Sequence, residues 1–261
     1  MGGKIMDYNQ FVKEFYNYST IDLNSYKEGQ MKRRIDSHIR KYSINNYKDF
    51  LAVLKKDRDA YNTFLGYLTI NVSEFLRDPR QWTNLEKEVL PKLIKPHKKL
   101  TVWSAACSTG DEPYTLAMVI SKLLPTNQFR IIATDIDKEI LAKAKQGIYP
   151  EKQVANLPID MKNKYFKKTA EGYTISQDIK RCIEFRQHNL LKDAYPTQVD
   201  LIVCRNVLIY FTEEAKGKIY NNFSKALADD GVLFVGSTEQ IINPAEYNLK
   251  GNKIFFYSKL K

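Results

Sequence analysis

Four short apolar runs govern what the carboxyl-terminal part of this chain can become: LTVWSAA from Leu100, FRIIATD from Phe129, VDLIVCR from Val199 and GVLFVGS from Gly231. Each has the length of a strand and is apolar on both faces, so each reads as a strand buried on both sides. The segments between them carry helical periodicity. Strand and helix alternating in this way predict an α/β fold, a doubly wound and mostly parallel sheet with helices on both faces, because parallel neighbours need a crossover between them. A last run, KIFFYSKL, follows a turn-rich stretch (Asn243, Pro244, Asn248, Gly251, Asn252) and reads as an added edge strand. The rhythm breaks once, between Gly147 and Phe185. There a helical piece precedes EGYTISQDIKRCIEF, whose period-two alternation predicts a small antiparallel β-subdomain inserted at about residues 148–185.

Residues 1–78 lack such runs. Phe11, Phe15 and Tyr18 recur at helical spacing, as do Phe50, Leu51 and Leu54, then Tyr61, Phe64, Leu65 and Leu68. This predicts an all-helical amino-terminal domain ahead of a sheet domain at 79–261. On a helical wheel from Glu28 to Tyr42, the side chains Met31, Ile35, Ile39 and Tyr42 share an arc of about 80°. Arg33 and Arg40 point the other way, flanked by Lys41 and Arg34. Charge concentrates in this region: between Tyr26 and Arg58 ten Lys or Arg stand against four Asp or Glu, while the first 25 residues carry a net −1. The whole chain has a net charge of +11 and a pI near 9.3, which predicts an acidic partner.

Other classes are excluded by composition and spacing. With 43% hydrophobic and 27% charged residues, a packed core is expected and wholesale disorder is not. The opening MGGKIMDYNQ lacks the apolar stretch of a signal peptide, and Met6 breaks the myristoylation pattern. No apolar run approaches the roughly 20 residues of a membrane span. Cys107, Cys182 and Cys204 are odd in number and far apart, and the histidines are scattered, so neither a disulfide framework nor a zinc site is expected. The expectation is a cytoplasmic, metal-free monomer that does not insert into membranes.

Chemistry gathers at the end of the first strand. VWSAACSTGDEPYTLA is a strand, a small-residue loop and a helix, and open parallel sheets bind ligands at such loops. Ala105, Ala106, Ser108, Thr109 and Gly110 would let a ligand approach the backbone. Asp111 and Glu112 then open the helix ahead of Pro113. Two carboxylates make a poor phosphate site and suit a positive group such as an ammonium. From the loop alone, a plain turn with helix-start acids is an equal reading. The second strand ends in Asp135, where an acid usually holds ribose hydroxyls; Asp137 reads equally as a helix cap. Loop and acid together indicate a nucleoside without a pyrophosphate cradle, and S-adenosylmethionine fits.

Aligned on VWSAACSTGDEPYTLA, ATDID, HNLL and CRNVLIYF, with NVSEFLRD upstream, the chain resembles the CheR family of chemotaxis receptor glutamate methyltransferases over nearly its whole length. The resemblance implies a sheet of the S-adenosylmethionine methyltransferase type, with S-adenosylhomocysteine as product. By motif it assigns Asn71, Ser73 and Arg77 to the methionine end of the cofactor. Glu112 goes to its charged amino acid end, Asp135 to its ribose, Asn189 and Leu190 to the adenine, and Arg205 and Asn206 to the end of the fourth strand. Ala106 and Ser108 stand where the general methyltransferase loop has glycines, as is usual in this family. The residues alone leave bland readings open: a turn for Asn189, core for Leu190, and an ion pair with Glu74 or Asp78 for Arg77.

A glutamate side chain, with an ordinary pKa near 4.3, is already the nucleophile at neutral pH, so no general base is required. What remains is alignment and exclusion of water. Arg77 is the candidate cation to orient the carboxylate. Tyr210, equally readable as core, is the candidate ring or hydroxyl beside the sulfonium. The resemblance also makes the helical cytoplasmic domain of chemotaxis receptors the partner. Because Arg33 and Arg40 lie opposite the apolar stripe, that face, with Arg34 and Lys41, is the candidate docking surface, a merely solvated charged face being the other reading. Competing readings are an RNA methyltransferase, disfavoured because the charge is confined to one helix face with no RNA-binding module in view, so that no nucleic acid partner is expected, and a non-catalytic receptor adaptor that senses the cofactor. The stretch FKKTAEGYTIS is short and has one glycine, Gly172, which argues against tight binding of a receptor tail.

Overall fold

A computed structural model of the chain describes residues 6–96 and 98–260. Residues 1–5, on which the readings of a leader and a lipid site partly rest, lie outside the described residues. The chain forms two compact units, one running up to Asn71 and including Tyr210–Lys216, the other holding Val72–Ile209 and the chain from Gly217 onward.

The first unit is helical: α1 (Tyr8–Ser19), α2 (Glu28–Lys41), α3 (Tyr47–Lys56) and α4 (Arg58–Leu68). Local sequence starts three of them. Asp7 and Gln10 form a capping box on α1, Asn46 accepts from Asp49 N on α3, and Asp57 accepts from Asp59 N and Ala60 N on α4. Phe11, Phe15, Phe50 and Phe64 are fully buried, and Phe50 meets Phe64 edge-on at 5.0 Å. Met31, Ile35 and Ile39 of α2 point inward as the wheel predicts. Tyr42 does not. It caps the carboxyl end of α2 with helix geometry already lost and remains 36% exposed. His38 takes the fourth inward position instead. The returning segment is held by backbone: Lys27 N donates to Tyr210 O at 2.9 Å and Thr212 N to Ser25 O at 2.9 Å. The Tyr26 and Phe211 rings stack between them at 4.6 Å.

The second unit opens with α5 (Pro79–Asn84), which passes through a π-helical turn at Leu85–Val89 into α6 (Leu90–Leu93). Then follow β1 (Leu100–Ala105), α7 (Asp111–Ile120), β2 (Phe129–Asp135) and α8 (Lys138–Gln146). The insertion holds β3 (Ile148–Tyr149), α9 (Glu151–Val154), α10 (Ile159–Tyr165), β4 (Phe166–Thr169), β5 (Gly172–Ile175) and α11 (Gln177–Lys180). The main sheet resumes with β6 (Ile183–Gln187), β7 (Val199–Cys204), α12 (Glu213–Ala226), β8 (Leu227–Val235), β9 (Leu249–Lys253) and β10 (Phe256–Lys259).

The main sheet runs β6-β2-β1-β7-β8-β10-β9, and β3-β5-β4 form a separate antiparallel sheet. The ladders from β6 to β8 are parallel; β10 is antiparallel to both β8 and β9. Chain order reverses at β1, with β2 and β6 to one side and β7 to the other, and that switch opens a crevice at the strands' carboxyl ends.

Two strand readings differ from the structure. Ile183–Phe185, read with the inserted hairpin, belong to β6 and pair parallel with Ile131–Ala133 of β2. As the sheet's outer strand, β6 is only partly buried, so its sequence alternates like a hairpin strand. KIFFYSKL supplies β10, which is internal; the edge is β9, LKGNK. That pentapeptide has no apolar run to betray a strand and gains its place by pairing with β10.

Candidate active site

The loop after β1 shapes the crevice. Ala106 and Ser108 are left-handed, at φ 61° and 48°, and Gly110 caps α7 at φ 90°. A β-carbon on Gly110 would meet the Ala144 methyl at 3.0 Å and the Tyr149 hydroxyl at 3.1 Å, so glycine is required there. The strained loop is closed by the neighbouring strand: Ser108 N donates to Asp135 Oδ2 at 2.9 Å, and Asp137 N to Asp135 Oδ1 at 3.0 Å. Asp137 itself caps α8, accepting from Glu139 N and Ile140 N.

Asp135 is buried, and burial pushes its carboxyl up to about 6 although backbone donors pull it down. Glu112 accepts from Ser104 Oγ at 2.8 Å, and its other oxygen lies 3.9 Å from Arg205 Nη1. Burial raises Glu112 to about 7, with Arg205, Ser104 and Arg77 acting in the opposite direction. Asp111 is fully buried and accepts from Thr109 Oγ1, from Gln153 Nε2 and from Ser73. A residue read as a helix-start acid, or with Glu112 as a partner for a positive group, therefore joins the loop, the insertion and the segment that follows Val72.

Arg205, at the end of β7, has its side chain 2% exposed. Its guanidinium lies over Trp82 at 5.3 Å and Phe234 at 4.9 Å. Nη2 donates to Arg77 O at 2.8 Å and Asp78 Oδ2 at 3.0 Å. Asp78 thus pairs with Arg205. Asn206 follows in left-handed geometry at φ 60°. Its N–H, with those of Leu208, Ile209 and Gly236, is held by Glu239, a residue that sequence reasoning passed over. The available signal was G-x-x-E directly after an apolar strand, a turn with a carboxylate at its end.

Asn189 and Leu190 lie two and three residues beyond Gln187, the register partner of Asp135. Asn189 has the geometry of a turn residue, with Leu191 N donating to its Oδ1 at 2.9 Å, and Leu190 is buried. Ser73, Arg77, Glu112, Asp135, Asn189, Leu190, Arg205 and Asn206 all belong to the sheet unit; Asn71 and Tyr210 belong to the helical one. There Asn71 Nδ2 donates to Thr69 Oγ1 at 2.9 Å. In α2, Arg33 and Arg40 are exposed, whereas Arg34 is half-buried and donates to Tyr67 O. Lys41 is exposed with its ammonium 4.9 Å from the Tyr67 ring.

S-adenosylmethionine fits this donor set. Ser108 Oγ, Asn206 Oδ1 and Arg205 Nε are buried without a hydrogen-bond partner among the described residues, and such atoms in a crevice are expected to meet a ligand or water. Glu112 and Asp135 are carboxylates suited to an ammonium and to a diol. Burial without a full ionic partner leaves both costly to ionise, and a cation or strong donors would relieve that cost.

Comparisons agree with this geometry. Residues 71–255 match a family model described as CheR methyltransferase, SAM binding domain, and residues 6–69 match one described as CheR methyltransferase, all-alpha domain. A chemotaxis protein methyltransferase of Listeria monocytogenes is 44% identical over 254 residues, covering 97% of each chain. Another from Borreliella burgdorferi is 30% identical over 95% of this chain and 90% of its own. One from Salmonella typhimurium is 29% identical over 97% of this chain and 91% of its own.

Proposed function

The chain belongs to the CheR methyltransferase family, whose members use S-adenosylmethionine, and from that premise we propose that its acceptor is the glutamate side chain of chemotaxis receptors, converted to a methyl ester during sensory adaptation. The observation that carries this reading is the pair of carboxylates at the carboxyl end of the sheet: Glu112, its side chain 13% exposed in the first turn of α7, and Asp135, buried at the end of β2 and bonded to the backbone of Ser108, whose hydroxyl is unpartnered among the described residues.

The cofactor, when bound, supplies an electrophilic methyl carbon on a sulfonium, whose transfer to a carboxylate oxygen leaves a neutral thioether and moves no proton. The chain's own residues therefore bind, orient and exclude water. Glu112 would take the ammonium and Asp135 the ribose hydroxyls. Asn189 and Leu190 would flank the adenine, and Ser73 and Asn206 would hold the methionine end, a role the family motif extends to Asn71. Arg77 would orient the acceptor carboxylate, and the motif offers Tyr210 as the ring or hydroxyl for the sulfonium. Arg205 acts from behind: its buried guanidinium fixes the turn at Arg77 and Asp78.

The receptor's helical cytoplasmic domain docks on the exposed face of α2, through Arg33 and Arg40, with Lys41 and the half-buried Arg34 beside them. On this reading the work is done in the cytoplasm, at a receptor's inner end; no helix among the described residues is long and apolar enough to cross a membrane. The test is incubation with S-adenosylmethionine labelled in the methyl group and a receptor cytoplasmic fragment. Label on the fragment that is released by mild base as methanol is expected. Label on RNA, or no transfer from a chain that binds the cofactor, would sink the reading.

A further inference from the structure

The loop after β7 is stitched to the loop after β8 by one side chain. Glu239 is 5% exposed, and its carboxylate accepts four backbone N–H groups. Oε2 takes Asn206 N at 2.6 Å and Gly236 N at 2.9 Å; Oε1 takes Leu208 N at 2.6 Å and Ile209 N at 3.3 Å. Three of the four donors come from a segment that has left its strand and is not yet in α12, where backbone groups lack regular partners. Hydrogen bonds to a charged group are about twice as strong as neutral ones, so the carboxylate holds the segment firmly. The surroundings are built to admit it. A β-carbon at Gly236 would lie 2.5 Å from Glu239 Oε2 and 2.9 Å from Asn206 N, so glycine alone fits.

What Glu239 holds is the stretch that begins with Arg205 and Asn206. Asn206 sits at φ 60°, a conformation costly for a residue with a side chain, and its Oδ1 is buried without a partner. A strained residue, pinned through its own N–H and left with an open acceptor, is preorganised for a donor that arrives with a ligand.

We propose that Glu239 is a positioning residue for the methyl-transfer site: it fixes the Arg205–Ile209 loop so that Asn206 presents its side-chain oxygen to the cofactor. This rests on the methyltransferase reading. Loss of Glu239 then acts on cofactor affinity and turnover and leaves receptor docking, which belongs to α2, unchanged.

The test uses the full chain and Glu239→Gln, which keeps the shape but turns an N–H donor toward backbone donors. S-adenosylhomocysteine affinity, read by calorimetry, should fall about tenfold or more, equivalent to about 1.4 kcal/mol. The KM for a receptor fragment should stay at the parent value while kcat falls. If the parent does not bind S-adenosylhomocysteine, the methyltransferase reading fails. If the parent binds and the variant matches it in affinity and kcat, the role of Glu239 is overturned. Where the variant does not fold, amide exchange in the parent decides. The N–H groups of residues 206, 208 and 209 should exchange as slowly as those of β7 and β8 and slow further with S-adenosylhomocysteine. Exchange at open-loop rates, or indifference to the ligand, would equally overturn it.

Discussion

Asp135 already accepts two backbone N–H groups, one from Ser108 in the loop after β1 and one from Asp137 in its own, so its carboxylate serves the fold as well as the ligand role proposed for it. Replacing it with Ala should weaken S-adenosylhomocysteine binding by about 1.5–3 kcal/mol, because loop donors and the ribose both lose their acceptor. Unchanged binding in calorimetry would remove Asp135 from the site. Glu112 carries a pH signature. Its folded carboxyl titrates near 7 instead of the ordinary 4.5, so the folded state holds a proton that the unfolded chain has released. Stability of the ligand-free protein should therefore fall as pH rises from about 4.5 to about 7, and Glu112→Gln should flatten that slope. Binding of an ammonium needs the ionised form. Affinity for S-adenosylhomocysteine should thus rise across the same window, with proton release visible as buffer-dependent heat. Affinity independent of pH would place the ammonium elsewhere. Neither raised value was legible in the sequence, because each comes from burial among residues distant in the chain.

At the scale of elements, α2 shows how far a wheel reaches. It correctly turns Met31, Ile35 and Ile39 inward and Arg33 and Arg40 outward. It misses His38, which is packed against Tyr42, Phe50, Phe64 and Tyr67 at ring distances of 4.7–5.9 Å, with Arg34 and Lys41 as the nearby cations. Both ring nitrogens lack a partner among the described residues, and burial first, then those cations, lowers its pKa below 6.5. The unfolded chain then takes up the proton first, so stability of the helical unit is present above about 6.5 and is lost as pH falls below it. His38→Phe should remove that acid-side loss in helix unfolding followed by circular dichroism. An unaltered pH profile would show that His38 is not the group responsible. Caps behave differently: Asp7, Asn46, Asp57 and Asp137 act on neighbours within three residues, a local signal of which sequence reasoning used only Asp137.

The whole molecule carries a net +11, yet the docking face proposed for it is one side of one helix. Electrostatic docking there would set association rate and weaken with salt, as screening shortens to about 8 Å near physiological strength. Replacing Arg33 and Arg40 by Glu should slow receptor methylation at least tenfold at low salt and leave S-adenosylhomocysteine affinity unchanged, within the range steering supplies. Equal rates for variant and parent across a salt series would exclude this face. Arg34 is left out of the test because its guanidinium is engaged by Tyr67. The two scales of information separate cleanly in this protein. Apolar runs, helical spacing and the two motif-bearing loops are local patterns, and they sufficed for the fold class, the helical domain and the position of Glu112 and Asp135. The order of the outer strands, the edge role of LKGNK, the burial of Arg205 and the four donors on Glu239 came only with the folded chain. A half-buried strand takes its stability from the neighbour it pairs with, and a carboxylate's role from donors about thirty residues away, such as Asn206 and Leu208 for Glu239. No periodicity encodes those partners, because they meet only when the sheet closes.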